Sequence, residues 1–275
     1  MTSPALQDII ALLGCPAAGN PAQYLFERAI EAAGLDCRFL SVDVDEPRLA
    51  DALSGAAAMG FRGCLLSGPL RSAALPLVAI ATPAASFAGA VNLIERKSGQ
   101  LTGHMTAGRG LVEALRAHIN PSGTKAVVIG AGSRGRAAAL ELSLAGVAGI
   151  MIADRDPARA AALVEALEPL DAAAAWTIDA ATGVEVPADV EIVVVATSGG
   201  KDGLKLTGLR GDLVVADCLL SAEPSAAGRQ ALESGGCLVD GLEIHAAQTA
   251  IDFHELTGIE TDPDMLRDAL DEFLS

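Results

Sequence analysis

The 275-residue chain contains few aromatic, basic and cysteine residues. Aromatic residues make up 3% of it and hydrophobic residues 51%, so alanine, valine, leucine and isoleucine must form most of the core. There are 19 lysines and arginines against 35 aspartates and glutamates, which gives a formal net charge of −16. This acidity argues against a nucleic-acid partner or an anionic membrane surface. Solubility alone is sufficient to explain it.

The cysteines form no C-x-x-C pair, and their number, 5, is odd. Each lies in or beside an apolar segment, where a free thiol behaves as a small hydrophobic group. We therefore expect a reducing, cytoplasmic environment with no disulfide framework and no zinc site. The 4 histidines also lack the spacing of metal ligands, so no metal is expected.

No membrane or export segment is predicted. The N-terminal residues lack the basic stretch of a signal peptide. Residues 72–94 are uncharged and long enough to span a bilayer, but they include Pro76 and Pro83 and many small residues. A buried helix and turn is the preferred interpretation of this segment.

One segment carries a complete dinucleotide-binding pattern. The apolar run at 126–129 ends in Gly130-Ala131-Gly132-Ser133-Arg134-Gly135, and a helical pattern begins at Arg136. The glycines permit a tight turn, close approach of a pyrophosphate and packing of the helix on the strand. A second apolar run ends at Asp154, about 20 residues after Gly135, where a carboxylate takes the adenosine ribose hydroxyls. The alternative is an ordinary glycine turn.

Strand and helix patterns alternate along most of the chain. The predicted strands occupy 9–14, 37–44, 60–67, 126–129, 149–153, 190–196, 213–217 and 236–240, with a hairpin of strands at 91–95 and 101–105. The predicted helices occupy 22–33, 48–59 and 108–118 and most of the chain after Gly241. This alternation indicates an α/β protein with a doubly wound parallel sheet, and the length favours two domains.

Further short motifs occur in a fixed order. They are Gly60-Phe61-Arg62-Gly63, Gly89-Ala90-Val91-Asn92, Ala196-Thr197-Ser198-x-Gly200, Asp240-Gly241-Leu242 followed by Gln248, and Thr257-Gly258. With these motifs and the glycine pattern, the chain resembles the shikimate/quinate dehydrogenase family over about residues 8–260. The resemblance implies an N-terminal α/β substrate domain at 1–105, completed by helices in 243–275, and a Rossmann domain at 106–242.

The resemblance also implies roles for individual residues. Asn92 and Gln248 match the family's substrate-binding asparagine and glutamine, and Ser67 retains one substrate-binding hydroxyl. The implied cofactor contacts beyond the glycine segment and Asp154 are Arg155, Thr197, Ser198 and Gly241. Asp154 predicts a preference for NAD over NADP, because NADP-specific relatives commonly have Asn-Arg-Thr where this chain has Asp154-Arg155-Asp156.

The family's catalytic pair is replaced. Its lysine falls on Arg71 and its aspartate on Ala107, while the two serines that hold the substrate carboxylate fall on Asn20 and Ala22. An arginine side chain is a poor general acid or base, although it can bind a carboxylate or polarise a carbonyl. We therefore predict that Arg71 acts in this way, that His104 is a candidate proton donor, and that Thr106 and Asn20 are candidate substrate contacts.

Three functions remain open from the sequence. The first is an NAD(P)-dependent dehydrogenase for a small hydroxy or keto compound, carboxylated or cyclic, other than shikimate. The second is an atypical shikimate or quinate dehydrogenase in which Arg71 and a water replace the usual pair. The third is a non-catalytic nucleotide-binding protein with a sensory or regulatory role. The first is preferred, with Arg71, Asn92 and Gln248 expected to converge on a cleft. The sequence leaves the oligomeric state, monomer or homodimer, undetermined.

Overall fold

The computed structural model describes residues 7–170, 174–178, 183–197 and 204–275. Contacts divide the chain into two compact units. The first unit contains the described residues up to 106 together with 249–273 and residue 275, and the second contains the described residues of 107–248 with residue 274. The C-terminal residues of the first unit were predicted to begin at 243, whereas in this division they begin at 249, within a helix.

The first unit is built on one mixed sheet. Its elements are β1 (Asp8–Gly14), α1 (Ala22–Ala32), β2 (Cys37–Asp43), α2 (Leu49–Ala58), β3 (Gly63–Leu66), α3 (Leu70–Ala73), β4 (Ile80–Ala81), α4 (Pro83–Ala88), β5 (Leu93–Lys97) and β6 (Gln100–His104). The strand order is β2-β1-β3-β5-β6-β4. The β3–β5 and β5–β6 pairs are antiparallel, and the other pairs are parallel.

Two local predictions in this unit need correction. Residues 72–94 do not form a helix and turn, because Pro76 lies in a helical turn at Leu75–Leu77 and Pro83 begins the separate helix α4, with β4 between them. The hairpin loop predicted at 96–100 contains only Ser98 and Gly99, with φ values of 51° and 81°. Such a turn matches the twist of the two strands, which therefore extend further into the predicted loop.

The second unit contains a six-stranded sheet flanked by helices. Its elements are α5 (Ala107–Arg116), β7 (Lys125–Ile129), α6 (Ser133–Leu144), β8 (Gly149–Ala153), α7 (Pro157–Leu167), β9 (Ala174–Thr177), β10 (Val184–Glu185), β11 (Ile192–Val195), β12 (Leu206–Thr207), β13 (Val214–Asp217), α8 (Ala226–Glu233) and β14 (Cys237–Val239). The helix α9 (Gly241–Thr257) begins in this unit, and its residues from Thr249 onward belong to the first unit. The order β14-β13-β11-β7-β8-β9 is parallel throughout. This is the Rossmann order, which reverses between β7 and β11, where ligands of such sheets bind.

The chain ends with α10 (Pro263–Leu274), which follows α9 after a short break. The helical pattern predicted after Gly241 is thus confirmed. Strands β9, β10 and β12 were missed, because β9 is alanine-rich and the other two are two residues long, which gives little β-pattern. Among the described helices, none has the length and apolar character that crossing a bilayer requires.

Candidate active site

The loop after β7 is shaped by three glycines. Gly130 has a φ of +104°, a conformation that favours glycine. A Cβ on Gly135 would lie 1.7 Å from the carbonyl oxygen of Gly130, whereas one on Gly132 would meet only Arg159 Nη2, at 3.2 Å. The loop therefore packs tightly against α6 while leaving backbone accessible at Gly132. The first N–H groups of α6, which begins at Ser133, have no partner within the helix.

Asp154 follows β8 and is held by backbone donors. Its Oδ2 accepts the N–H of Ala131 at 2.7 Å, and its Oδ1 accepts that of Asp156 at 3.0 Å. Burial opposes ionisation, but these hydrogen bonds and the charges of Arg159 and Arg155 keep the pKa of Asp154 below its ordinary value. The carboxylate is therefore ionised and fixed beside the glycine loop.

The loop after β13 packs against the starts of two helices. Arg134 of α6 donates to the carbonyl oxygen of Cys218 at 3.0 Å. A Cβ on Gly241, the first residue of α9, would lie 1.9 Å from the carbonyl oxygen of Leu219. Asp217 is buried and accepts the N–H of Leu219 at 3.1 Å. Asp217 thus orders this loop.

Thr197 follows β11 on the other side of the point where the strand order reverses. A Cβ on Gly130 would lie 2.9 Å from its Cγ2, so the Thr197 side chain adjoins the glycine loop. Ser198, the next predicted cofactor residue, lies outside the described residues.

The glycine loop and its surroundings fit a nicotinamide dinucleotide. Gly132 provides backbone that only the end of the Arg159 side chain approaches. The start of α6 provides N–H groups for phosphate, and Asp154 provides a fixed acceptor for ribose hydroxyls. When bound, such a cofactor supplies hydride acceptance and donation. No group of histidine, cysteine, aspartate or glutamate in the described part of the chain is arranged to hold a metal ion.

Asn92 lies immediately before β5, in the first unit, and is 2% exposed. Its Oδ1 accepts the backbone N–H of Thr106 at 2.7 Å, and its Nδ2 donates to Thr106 Oγ1 at 2.8 Å. Only the amide oxygen can accept the backbone donor, so these contacts fix the orientation of the amide. The N–H groups of Asn92 therefore point toward the Thr106 hydroxyl.

Asp252 of α9 completes this cluster and was missed in the sequence analysis. Thr106 Oγ1 donates to Asp252 Oδ1 at 2.5 Å, and Asn92 Nδ2 lies 3.4 and 3.5 Å from the two carboxylate oxygens. Asp252 is 2% exposed. It stands one helical turn after Gln248, a spacing that places both residues on one face of the helix. That spacing was the signal available in the sequence.

Arg62 holds the C-terminal end of α9, one helical turn beyond Asp252. Its guanidinium donates to the carbonyl oxygens of Leu256 and Thr257, which lie at the C-terminal end of α9, where a cation satisfies unpaired carbonyls. A Cβ on Gly63 would lie 2.4 Å from Leu256 Cδ2. The motif Gly60-Phe61-Arg62-Gly63 thus docks this end of α9 on β3.

Backbone hydrogen bonds hold the segment that contains Arg71 beside the segment that contains Asn92. Its Nε donates to the carbonyl oxygen of Leu66 at 2.9 Å, and its own carbonyl accepts the N–H of Val91 at 2.8 Å. The N–H of Leu66, the residue before Ser67, donates to the Asn92 carbonyl at 2.9 Å. The structure therefore brings four predicted residues together at one end of the first sheet: Ser67, Arg71, Asn92 and Thr106.

His104 points away from this group. It pairs with Leu93 in the β5–β6 ladder, and side-chain alternation places it on the face opposite Asn92. Its Nε2 lies 3.6 Å from Glu95 Oε2, on that face. Nε2 is buried and makes no hydrogen bond at this distance, and the catalytic role of His104 stays a prediction.

The remaining positions lie at helix starts or in a helix contact. Asn20 Oδ1 accepts the N–H of Ala22 at 2.9 Å, at the start of α1. Ala107 is the first residue of α5 and is buried. Gln248 packs on α5, since a Cβ on Gly110 would lie 2.6 Å from its Cβ.

Fold and site define a class: a Rossmann-type nucleotide unit joined to a second α/β unit with a buried polar cluster is typical of a dinucleotide-dependent oxidoreductase. Comparison with known families agrees. Residues 12–94 match "Shikimate dehydrogenase substrate binding domain", and residues 113–204 match "Shikimate / quinate 5-dehydrogenase".

Individual proteins extend this similarity to nearly the whole chain. Shikimate dehydrogenase (NADP(+)) of Citrifermentans bemidjiense is 31% identical over 268 residues, covering 94% of this chain and 92% of that protein. Ligand-free 5-ketofructose reductase of Gluconobacter sp. strain CHM43 superposes with a TM-score of 0.92 at 29% identity, covering 98% and 99% of the two chains. Shikimate 5-dehydrogenase of Listeria monocytogenes, in complex with shikimate and NAD, gives 0.87 at 27% identity and covers 98% of each.

The chain belongs to the shikimate/quinate dehydrogenase family, whose members are NAD(P)-dependent oxidoreductases acting on CH–OH groups.

Proposed function

We propose that this protein interconverts the CH–OH and C=O groups of a small, uncharged polyhydroxy ketone, and that shikimate is not its substrate. The observation that carries the proposal is the composition of the cluster at the end of the first sheet. It places the amide of Asn92 and the hydroxyl of Thr106 beside the buried carboxyl group of Asp252. Amide, hydroxyl and carboxyl groups exchange hydrogen bonds readily with substrate hydroxyls.

The altered carboxylate site supports the same substrate class. The amide oxygen of Asn20 is engaged by the N–H of Ala22, and Ala22 offers only a methyl group where the family has a serine. A substrate carboxylate would thus lose a dedicated hydroxyl contact, which costs about 1–3 kcal/mol. A relative of the same fold is named 5-ketofructose reductase, which supports a keto sugar as the substrate proposed here.

We also propose that the chain prefers NAD to NADP. The Asp154 carboxylate is held by two backbone N–H groups, so it cannot readily turn away from the ribose. Its negative charge would repel a 2′-phosphate. Arg155 and Arg159 lie near enough to lower the pKa of Asp154, so the carboxylate offsets part of their positive charge there. Asp154 therefore outweighs them at the ribose.

The proposal is tested with the purified protein, NAD⁺ and NADP⁺, and a panel of polyols, keto sugars, shikimate and quinate. We expect reduction of NAD⁺ by an uncharged polyol, or oxidation of NADH by a keto sugar, with kcat/KM at least about 100-fold above that for shikimate. Turnover of shikimate as the best substrate would establish the atypical shikimate dehydrogenase instead. Tight cofactor binding without turnover of any compound would indicate a non-catalytic nucleotide-binding protein.

A further inference from the structure

Interconversion of an alcohol and a ketone needs a group that takes up the hydroxyl proton. Arg71 stays protonated at every relevant pH, and Ala107 carries only a methyl group. Among the described residues, the buried ionisable polar side chains are Asp217 and Asp252. Asp217 lies in the second unit, where it orders the loop after β13. Asp252 is therefore the buried carboxylate that adjoins the predicted substrate residues.

We propose that Asp252 is the proton acceptor of the reaction, so that the catalytic carboxylate is supplied by α9 and not by the start of α5. This inference rests on the proposed function, since it assigns a role within that reaction. Asp252 bonds to Thr106, the residue immediately before Ala107. Asp252 thus bonds to the residue next to the position on which the resemblance places the family's aspartate.

The hydrogen bonds of the cluster have one direction. Asn92 Nδ2 donates to Thr106 Oγ1, and Thr106 Oγ1 donates to Asp252 Oδ1 at 2.5 Å. Because the backbone N–H of Thr106 fixes the amide of Asn92, this sequence cannot reverse while Asp252 is ionised. The carboxyl group of Asp252 is the terminal acceptor of these hydrogen bonds.

The reaction balances with Asp252 in this role. On oxidation, the substrate O–H bond breaks and its proton forms an O–H bond with the Asp252 carboxylate. The carbinol C–H bond breaks, its electron pair leaves with the hydrogen as hydride to the oxidised nicotinamide, and the carbonyl double bond forms. Arg71 binds the oxygen as the carbonyl develops. In the reverse direction, protonated Asp252 returns the proton.

A purely structural carboxylate is the alternative, because the same bonds tie α9 to the sheet. The two roles differ in their effect on kinetics. A structural role predicts weaker substrate binding and lower stability on substitution. A proton acceptor predicts loss of kcat while binding persists.

The test compares the wild-type protein with Asp252→Asn on the best substrate from the panel. The asparagine oxygen can still accept from Thr106, so the fold is expected to persist. We expect kcat to fall by about 10²–10⁴-fold, with KM and the calorimetric dissociation constants for cofactor and substrate changed less than about threefold. The exposed Asp268→Asn on α10 removes the same charge and serves as the matched control, with unchanged kinetics.

A second variant restores the carboxylate elsewhere. Asp252→Asn with Ala107→Asp places it at the start of α5, and we expect kcat to recover at least about tenfold relative to Asp252→Asn. If Asp252→Asn does not fold, the pair Asp252→Ala and Asp252→Ala with Ala107→Asp makes the same comparison.

The outcomes separate the two proposals. An active wild-type protein with unchanged kcat in Asp252→Asn overturns this inference and leaves the proposed function standing. A loss that appears only as weaker binding, with no recovery on Ala107→Asp, also overturns it. A wild-type protein that turns over nothing in the panel overturns the proposed function itself, and with it the reaction in which Asp252 takes part.

Discussion

In each unit, a carboxyl group held by specific hydrogen-bond donors lies at the predicted binding site. In the first unit, Asn92, Thr106 and Asp252 satisfy one another in a buried cluster, which matters because an unpaired buried polar group costs about 1–3 kcal/mol. In the second unit, Asp154 is satisfied by two backbone N–H groups. Each site is thus defined by a carboxylate whose position is fixed by its donors.

Asp154→Asn should shift cofactor preference toward NADP. The substitution removes the charge that opposes a 2′-phosphate and keeps an oxygen for the ribose, so we expect the ratio of NADP to NAD affinity to rise at least about tenfold. Calorimetric titration with both cofactors measures it. Asp156→Asn, which removes a neighbouring charge at the start of α7, is the control with a smaller change. Tighter NADP than NAD binding in the unmutated protein would refute the assignment.

The ionisation of Asp154 also makes a pH prediction. Its folded pKa lies below the ordinary value, so its contribution to stability is complete above the unfolded pKa and is lost as the pH falls through the folded pKa. We therefore expect the preference for NAD to be constant from about pH 6 to about pH 9. A preference that changes within this window, measured by the same titrations, would mean that another group controls it.

The thiols should differ strongly in reactivity. Burial raises the pKa of Cys64 to about 12 and that of Cys218 to about 11, while Cys15 is exposed. Because the thiolate is the reactive form, iodoacetamide at about pH 8 should modify Cys15 in the native protein and reach the other two only after unfolding. Peptide mass spectrometry measures the order. Early modification of Cys64 would show that the first sheet opens readily.

Among the elements, α9 has a distinctive position because its two ends belong to different units. Its C-terminal end is held on β3 by Arg62 and by the close approach at Gly63. Nearer its start, Gly110 allows α5 to pack on the backbone of Gln248, since a Cβ would lie 2.7 Å from its Cα. The absence of a side chain at Gly63 and Gly110 therefore permits the close contacts that position α9 and its polar side chains.

Two helical glycines make a matched test of this packing. Gly110→Ala forces a Cβ against the backbone of α9 and should destabilise the protein by about 1–3 kcal/mol. Gly55 lies in α2 with no atom within 4 Å of a Cβ position, so Gly55→Ala should stabilise by about 0.5–1 kcal/mol through helix propensity. Apparent melting temperatures measure both. A neutral Gly110→Ala would contradict the close contact of α5 with α9.

For the molecule as a whole, the sequence predicted best those parts of the fold that a local residue pattern specifies. The parallel sheet around β7 and β8 and the glycine loop follow from apolar runs and G-x-G-x-x-G. Asp252 could not be predicted in the same way, because its contacts join residues 160 positions apart in the chain and depend on how α9 docks. The short strands β10 and β12 likewise owe their pairing to tertiary contacts, which override weak local propensity.

The exclusion of shikimate is tested most directly by measuring kcat/KM for shikimate oxidation in the wild-type protein and in the triple variant Ala22→Ser/Arg71→Lys/Ala107→Asp. We propose that this chain retains the family's fold, and that its residues at positions 22, 71 and 107 exclude shikimate as a substrate. We expect a low kcat/KM for shikimate in the wild-type protein and an increase of at least about tenfold in the triple variant. This increase should exceed that of Arg71→Lys or Ala107→Asp alone. Efficient shikimate oxidation by the wild-type protein would contradict it, as would a triple variant that gains nothing.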